Sequence, residues 1–205
     1  MDEASAASLD ARPILNIVGT QIALGPICRD LLPLYQRWMN DFGMVRTLAI
    51  PPQPLTMEDE IAWYDRTTTS DDLSFTIYTV EGWRPIGNVL LRDIDYRNRS
   101  AAMAIFIGDV TDRGKGHGTE ATRLLLDYAF TALGLNNVML SCYAYNLAGQ
   151  HTYEKAGFRI IGRRRECHWF GGRLWDEIYM ECLAAEFISP VLAQLFTPDT
   201  PQPHA

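Results

Sequence analysis

Apolar and polar residues alternate along the first half of the chain with the periods expected of strands and helices. Apolar residues recur at about every second position on both sides of Gly19-Thr20 and again on both sides of Gly82. This pattern predicts two antiparallel hairpins. Two further stretches have helical spacing, and Thr56 before early acidic residues is a typical helix N-cap. The predicted elements are a hairpin of 14–18 and 21–24, a helix over 29–41, a helix from 56 to about 67, strands 73–80 and 85–95, and a strand over 100–110.

The second half of the chain contains the clearest helical pattern. Apolar residues recur at helical spacing between Thr119 and Leu133, and Gly134 is a natural residue to end that helix. After it we predict a strand over 137–145, a helix over 146–156 closed by Gly157, and a hairpin from 158 that turns at Gly171-Gly172. Strands outnumber helices in a mixed order, which favours an α/β fold.

Length and composition predict one folded domain. The 205 residues are 47% hydrophobic and 21% charged, as in an ordinary globular protein. Residues 1–12 are small and polar, and residues 197–205 contain three prolines with little to bury. We therefore expect a single domain over 13–196, with a disordered N-terminal tail and a flexible C-terminal tail.

The net charge of −7 argues against a general nucleic-acid binder, which would need clustered Lys and Arg, and slightly favours a cationic or neutral small partner. No apolar run is long enough to span a membrane, and no signal peptide is evident. The four cysteines have no CxxC spacing, which predicts a reduced cytoplasmic protein. His117, His151 and His168 lack metal-ligand spacing with the cysteines, so we expect no metal.

The main chemical signal is the segment Arg113-Gly-Lys-Gly-His-Gly-Thr119, which lies between a predicted strand and the clearest helix. Glycines let the backbone approach a ligand, and the first turn of a helix offers unpaired N–H donors. A diphosphate is the natural ligand of such a loop. The Walker pattern GxxxxGK[ST] is absent. A dinucleotide fingerprint is matched formally at Gly116-x-Gly118-x-x-Ala121, but no acidic residue follows about 20 positions later.

The remaining pattern, Arg113-x-x-Gly116-x-Gly118, resembles the GNAT acetyltransferase superfamily, and over roughly residues 20–183 the chain looks like its RimJ/RimL-type branch. Further matching segments are Trp38-Met-Asn-Asp41, Glu58-Asp-Glu-x-x-Trp-Tyr64, Ile86-Gly87, Asp93-Ile-Asp-Tyr-Arg97, Ile105-Phe-Ile-Gly108, and Asn146 through Tyr153-Glu-Lys-Ala-Gly-Phe158. The resemblance implies a mixed, mostly antiparallel, twisted sheet with helices on both faces and a cofactor cleft where two central strands diverge.

The resemblance also implies that acetyl-coenzyme A is the co-substrate. Its pyrophosphate would meet the loop amides, and its pantetheine arm would pair with the strand before the loop. Arg113 would close the loop or meet phosphate. The implied cofactor-binding residues are Ile105, Ile107, Arg113, Gly114, Lys115, Gly116, His117, Gly118, Thr119 and Asn146.

Tyr153 is the implied general acid, because a phenol near the sulfur can protonate the leaving thiolate. It lies seven residues after Asn146, about two helical turns, so both side chains can face one cleft. The base is open, because Ala102 stands where relatives of this branch often carry Glu. Asp93, Asp95, Asp41 or a water chain could replace it. Cys142 could form an acetyl-thioester, although a buried structural thiol fits better.

The implied activity is acetyl transfer to a primary amine, whether a protein N-terminus, a polyamine, an amino sugar or an antibiotic. Acceptor contacts are expected from the Trp38 to Ile50 stretch, with Trp38 and Asp41 in it, from Asp93, from the loop 51–54, and from the closing hairpin near 167–175. A longer acyl donor is compatible with the same loop. The rival interpretation is a coenzyme A sensor without turnover, and a homodimer is compatible with the resemblance.

Overall fold

The structure, a computed structural model, describes residues 12–199. The predicted tails lie largely outside the described residues, at 1–11 and 200–205. Eight strands form one sheet in the order β1-β2-β3-β4-β5-β6-β8-β7. Neighbouring strands are antiparallel except for the parallel pair β5–β6, so the sheet is mixed and mostly antiparallel as predicted. The strands are β1 (Ile17–Val18), β2 (Ile22–Pro26), β3 (Leu73–Thr79), β4 (Pro85–Asp95), β5 (Ser100–Ile107), β6 (Asn137–Tyr143), β7 (Arg159–Phe170) and β8 (Arg173–Leu183).

Six α-helices connect or flank these strands in the described part of the chain. They are α1 (Leu32–Met39), α2 (Phe42–Val45), α3 (Met57–Thr69), α4 (His117–Asp127), α5 (Leu147–Ala156) and α6 (Leu192–Leu195). Thr56 caps α3 in a reciprocal capping box with Asp59, as the sequence indicated. None of the helices within residues 12–199 has the length and apolar character needed to cross a bilayer.

The two faces of the sheet carry separate hydrophobic clusters, and β5 contributes to both. Ile105 and Ile107 pack against the cluster that contains α4, whereas Phe106 packs against the cluster of α1 and α3. Phe106 meets Trp38 edge-on at a ring-centroid distance of 5.9 Å. Because successive side chains of a strand point to opposite faces, this alternation places helices on both sides of the sheet.

Several predicted boundaries were wrong. The helix expected over 29–41 is a 3₁₀ turn, Arg29–Leu31, followed by α1, because Pro33 fits only the first turn of an α-helix. The strand expected to reach 110 ends at Ile107, and Asp109 caps a 3₁₀ turn there by accepting from Thr111 N.

Three other elements also differ in extent. The opening strand covers 17–18 rather than 14–18, and β6 ends at Tyr143 rather than 145. The helix expected over 119–133 begins at His117 and finishes as a π-helical turn, Tyr128–Ala132. Apolar spacing does not distinguish that wider turn from a continued α-helix.

Candidate active site

A cleft opens where the two parallel strands at the centre of the sheet separate. β5 and β6 pair only from Ser100 opposite Asn137 to Ala102 opposite Met139, yet β5 continues to Ile107 and β6 to Tyr143. Beyond Ala102 the facing edge of β5 therefore has main-chain groups available to a ligand. A cavity of about 400 Å³ occupies this region.

The cavity is lined by the loop after α2, the exposed half of β5, the glycine-rich loop, the end of β6 and the first turns of α5. Most of the predicted cofactor residues are among its walls. Ile105, Ile107, Arg113, Gly114, Gly116, Gly118, Thr119, Asn146 and Tyr153 all line it.

The glycine-rich loop carries a row of unpaired amides, and Gly114, Gly116, Gly118 and Thr119 of this row line the cavity. Within residues 12–199, the N–H groups from Gly114 to Thr119 have no hydrogen-bond acceptor, while Glu120 N is the first to bond back, to Gly116 O at 3.0 Å. The row lies at the positive end of α4, where an anion is stabilised by the helix dipole as well as by hydrogen bonds. Such an arrangement fits a diphosphate.

The loop needs glycine at two positions. Gly114 and Gly116 have φ of +74° and +90°, in the left-handed region that residues with a Cβ rarely adopt.

A buried ion pair next to the loop fixes its position. The carboxylate of Asp112 is 1% exposed and accepts two hydrogen bonds from the guanidinium of Arg84, each 2.6 Å long. These bonds lower the pKa of Asp112 below its usual value, so its charge persists at neutral pH.

Arg113 folds back onto the end of the preceding strand. Its Nε donates to Ile107 O at 3.1 Å and its Nη2 donates to Gly108 O, also at 3.1 Å. The guanidinium therefore ties the loop to the end of β5.

Asn146 and Tyr153 both reach the cavity from α5. The Asn146 side chain caps this helix by accepting from Gly149 N at 3.0 Å, which leaves its Nδ2 group to donate elsewhere. Tyr153 is half-buried and packs edge-on against Phe158 at 6.1 Å. Burial, followed by the nearby Cys142 thiol, raises the pKa of Tyr153 well above its usual value. Its hydroxyl therefore stays protonated at neutral pH and has a proton to give, although the raised pKa makes it a weaker acid than a free phenol.

Cys142 lines the cavity but is a poor nucleophile. Its side chain belongs to the core, and burial raises the pKa of its thiol to about 11, with a smaller contribution from the charge of Glu177. Nucleophilic attack requires the thiolate, which such a pKa disfavours. This environment favours the structural thiol over the covalent intermediate.

The structure does not bring every predicted residue to the cavity. Lys115 and His117 point to a second cavity of about 580 Å³ on the other side of the loop, where Lys115 Nζ lies 3.9 Å from Asp112 Oδ1. Trp38 is buried beneath β5, and Asp41 caps α2 through Gly43 N at 2.8 Å. The Asp93 side chain is 79% exposed.

Part of the expected 38–50 stretch lines the cavity, namely Gly43, Met44 and the residues from Arg46 to Ala49. Arg92, Ser141 and Lys155 also line it and were not predicted from the sequence. Ser141 had a recognisable signal, since it is the one aliphatic hydroxyl in the strand sequence NVMLSCY. Arg46 belongs to a short helix and loop whose position depends on tertiary contacts.

An aromatic cluster joins this loop to the β7–β8 hairpin. Tyr145 OH donates to Arg46 O at 2.5 Å and lies 3.2 Å from His168 Nε2. His168 stacks on Tyr143 at 3.7 Å, and Phe170 stacks on Tyr145 at 4.6 Å. The cluster holds the closing hairpin beside the cavity.

Metal ligands are not grouped in the described part of the chain. Among residues 12–199, no three His, Cys, Asp or Glu side chains lie close enough together to hold an ion.

Two kinds of sequence comparison agree on the family. A family model described as an acetyltransferase (GNAT) domain matches residues 22–159. The probable N-acetyltransferase YjcK of Bacillus subtilis (strain 168) is 35% identical over 118 residues, 56% of this chain and 63% of that protein, so the match spans less than two thirds of YjcK. The alpha/beta-tubulin N-acetyltransferase 9 of Homo sapiens is 29% identical over 161 residues, 71% of this chain and 75% of that protein.

Solved structures lead to the same family. The spermidine N-acetyltransferase of Vibrio cholerae, in complex with CoA and spermine, matches with a TM-score of 0.75 and 25% identity over 82% of this chain and 98% of that one. The mixed eight-stranded sheet, the family match over 22–159 and this likeness are consistent with one another. The chain therefore belongs to the GNAT family of acetyltransferases.

Proposed function

We propose that the protein transfers the acetyl group of acetyl-coenzyme A directly to a primary amine, with both substrates bound together. The observation that carries this proposal is the row of unpaired amides from Gly114 to Thr119, which opens onto the cleft between β5 and β6. These amides would bind the pyrophosphate, and the free edge of β5 beyond Ala102 would pair with the pantetheine amides.

The charge of the cavity wall supports an anionic ligand. Five basic residues line it, and the one acidic lining residue, Asp112, is already paired with Arg84. The basic residues are Arg46, Arg92, Arg113, His151 and Lys155. A phosphorylated co-substrate gains from this excess of positive charge.

Tyr153 is the proposed general acid. Attack of an amine on the thioester displaces a thiolate, which needs a proton, and the Tyr153 hydroxyl is protonated and unpaired within the described residues. Proton donation of this kind contributes about 10²–10⁴-fold to a rate. Holding the two substrates in line contributes further, roughly 7–11 kcal/mol in well-oriented systems.

The acceptor is proposed as a primary amine with few further positive charges. The Vibrio relative acts on spermidine, which makes a polyamine one candidate, and a peptide N-terminus is another. Arg46 and Arg92 line the cavity, and a polycation would be repelled by both. The amine of a peptide or an amino sugar therefore fits these walls better.

The finer assignments belong to the same proposal. We assign the chain to the RimJ/RimL-type branch, with its domain over 13–196 and acetyl as the transferred group. A cytoplasmic location and a homodimer remain predictions of the sequence.

Acetyl-coenzyme A should be titrated calorimetrically into the protein, and release of free thiol should then be followed with peptides, spermidine and aminoglycosides. The proposal expects binding and turnover, with a peptide amine preferred over spermidine at low ionic strength. Binding without turnover of any amine would favour the sensor interpretation. Absence of binding would overturn the assignment of the loop.

A further inference from the structure

Acetylation of an amine requires a proton acceptor, because an ammonium group has no lone pair for attack. The carboxylates considered from the sequence are unsuited to this task. Asp41 is held as a helix cap, Asp95 accepts from Asn98 N at 2.9 Å, and Asp93 is exposed. None of the three lines the cavity.

One carboxylate lies a single hydrogen bond behind the cavity wall. Ser141, a lining residue on β6, donates from Oγ to Glu177 Oε1 on β8 at 2.7 Å. The other carboxylate oxygen, Oε2, accepts from Tyr179 OH at 3.0 Å. Both hydrogen bonds leave the carboxylate fixed, with one oxygen aimed at a hydroxyl that reaches the substrate space.

The pleat of the sheet places this pair on the face opposite α4. Leu140 and Cys142 belong to the core cluster on the α4 side, so Ser141 between them points to the other face. The loop containing Arg46 and the aromatic residue Tyr143 contribute to the same side of β6. An acceptor that enters between that loop and β6 would meet the Ser141 hydroxyl.

The negative charge of Glu177 reaches the cavity. It contributes to the raised pKa of Cys142, which lines the cavity, and of Tyr143, although burial is the larger cause for both. The charged and titratable groups that face Glu177 are Arg164 opposite it on β7, Tyr143 opposite it on β6, and Tyr179 on its own strand. Cys167 and His168 lie beyond Tyr143, and Cys142 lies next to Tyr143 but points to the other face.

We propose that Ser141 and Glu177 form the proton-accepting route of this acetyltransferase, in place of a carboxylate at Ala102. Ser141 is the catalytic group that touches the amine, and Glu177 acts through it. This inference rests on the proposed acetyl transfer to an amine.

In the proposed route, two protons leave the acceptor nitrogen, one through Ser141 and one to Tyr153. The acceptor ammonium gives one proton to Ser141 Oγ as the Ser141 hydroxyl proton passes to Glu177, from which it later leaves to solvent. The free amine then forms a C–N bond to the acetyl carbon, and the C–S bond breaks. Tyr153 protonates the thiolate, and the second proton lost from nitrogen restores the Tyr153 phenol.

The test compares Glu177→Gln and Ser141→Ala with a matched control, Glu181→Gln. Glutamine at 177 can accept from one of the two hydroxyls and donate to the other, but it takes no proton. Glu181 lies four residues along β8 in a similar cross-strand bond, accepting from Asn137 Nδ2 at 2.8 Å, away from the cavity. For each full-length variant, kcat and KM for acetyl-coenzyme A and for the best amine are measured between pH 6.5 and 10.

We expect kcat to fall at least tenfold at pH 7 in both relay variants, with KM for acetyl-coenzyme A unchanged. The defect should shrink to about twofold once the pH passes the pKa of the amine, about 8 for a peptide α-amine and about 10 for an alkyl ammonium, because a neutral amine needs no base. Glu181→Gln should behave as wild type throughout.

Three results would overturn the relay. A defect of equal size at every pH would show a structural role, and an effect confined to KM for the amine would show that Glu177 only attracts a cation. A loss in Glu181→Gln as large as in Glu177→Gln would show that any carboxylate of β8 matters. If wild type binds acetyl-coenzyme A but acetylates no amine, the proposed function itself fails, and the relay fails with it.

Discussion

At the scale of single residues, Tyr153 combines position with a fixed protonation state. It lines the cavity from α5, and burial keeps its phenol protonated. We predict that Tyr153→Phe lowers kcat about 100-fold, because thiolate protonation is lost, while the Kd for acetyl-coenzyme A changes less than twofold. Steady-state kinetics and calorimetry measure the two quantities. Tyr96→Phe, which removes an exposed hydroxyl, is the control, and equal losses of kcat and affinity in Tyr153→Phe would refute the acid role.

Glu60 predicts a pH dependence of stability that is separate from catalysis. This residue of α3 is 5% exposed, and burial raises the pKa of its carboxyl from 4.5 to about 7. A raised carboxyl pKa means that the fold favours the protonated form. The contribution of Glu60 to stability is therefore complete below pH 4.5 and is lost as the pH rises to about 7.

Glu60→Gln should accordingly stabilise the protein at pH 8, by of the order of 1 kcal/mol, and change stability little at pH 4.5. Urea unfolding at the two pH values measures this difference. Glu58→Gln, on an exposed position of the same turn, should give no such gain. A stabilisation by Glu60→Gln that is the same at both pH values would contradict the assigned ionisation.

At the scale of elements, the loop before α4 depends on left-handed backbone at Gly116. The Cβ of an alanine at position 116 would have no atom within 4 Å. The substitution therefore causes no clash, and its cost is backbone strain of about 1–2 kcal/mol at φ +90°. Because that strain is relieved by moving the amides, we predict at least a tenfold loss of affinity for coenzyme A in Gly116→Ala. Gly134→Ala is the matched control. Gly134 also has a positive φ, +66°, and a Cβ there would likewise have no atom within 4 Å, but Gly134 does not line the cavity. Similar losses of affinity in both variants would show general destabilisation.

Asp127, the last residue of α4, binds the start of α6. Asp127 is fully buried and accepts from Thr131 Oγ1 at 2.8 Å, from Val191 N at 2.9 Å and from Leu192 N at 2.8 Å. Asp127→Ala leaves the half-buried Val191 amide and the buried Leu192 amide unpaired, so we predict a loss of about 2–4 kcal/mol in unfolding free energy. Amide exchange at Leu192–Leu195 should accelerate more than exchange in β3. Thr131→Val, which leaves both amide bonds, should cost less, and an equal cost would contradict this account.

Sequence patterns predicted the elements well where residues only a few positions apart determine the structure. The capping pair Thr56 and Asp59 and the glycines of the 113–119 loop act over a few residues, and the structure has α3 and the loop where they indicated. The end of α4 was harder to predict from the sequence, because the π turn at Tyr128–Ala132 keeps the apolar spacing of a helix. In the candidate site, the loop and α5 were indicated by short motifs. The pairing of Ser141 with Glu177 depends on two strands that are distant in sequence, so no short motif contained it. The stretch around Arg46 was expected near the acceptor, but its contact with Tyr145 is also long-range.

At the scale of the whole molecule, the sheet topology creates the site. A single parallel pair, β5–β6, lies inside an otherwise antiparallel sheet, and its separation beyond Ala102 produces the cleft. The loop that follows β5 then brings the positive end of α4 to the same cleft. The fold thus brings the proposed anion site, a free strand edge and the proposed acid into one cavity, whatever amine is used.

The central claim is that the amides of the 114–119 loop hold the pyrophosphate, and backbone amide resonances test it most directly. ¹⁵N-labelled protein should be titrated with coenzyme A and, separately, with pantetheine, which has no diphosphate. We predict that the Gly114 to Thr119 amides shift strongly with coenzyme A and little with pantetheine, while residues of β5 respond to both. Saturable binding of coenzyme A that leaves these six amides unshifted would contradict the account.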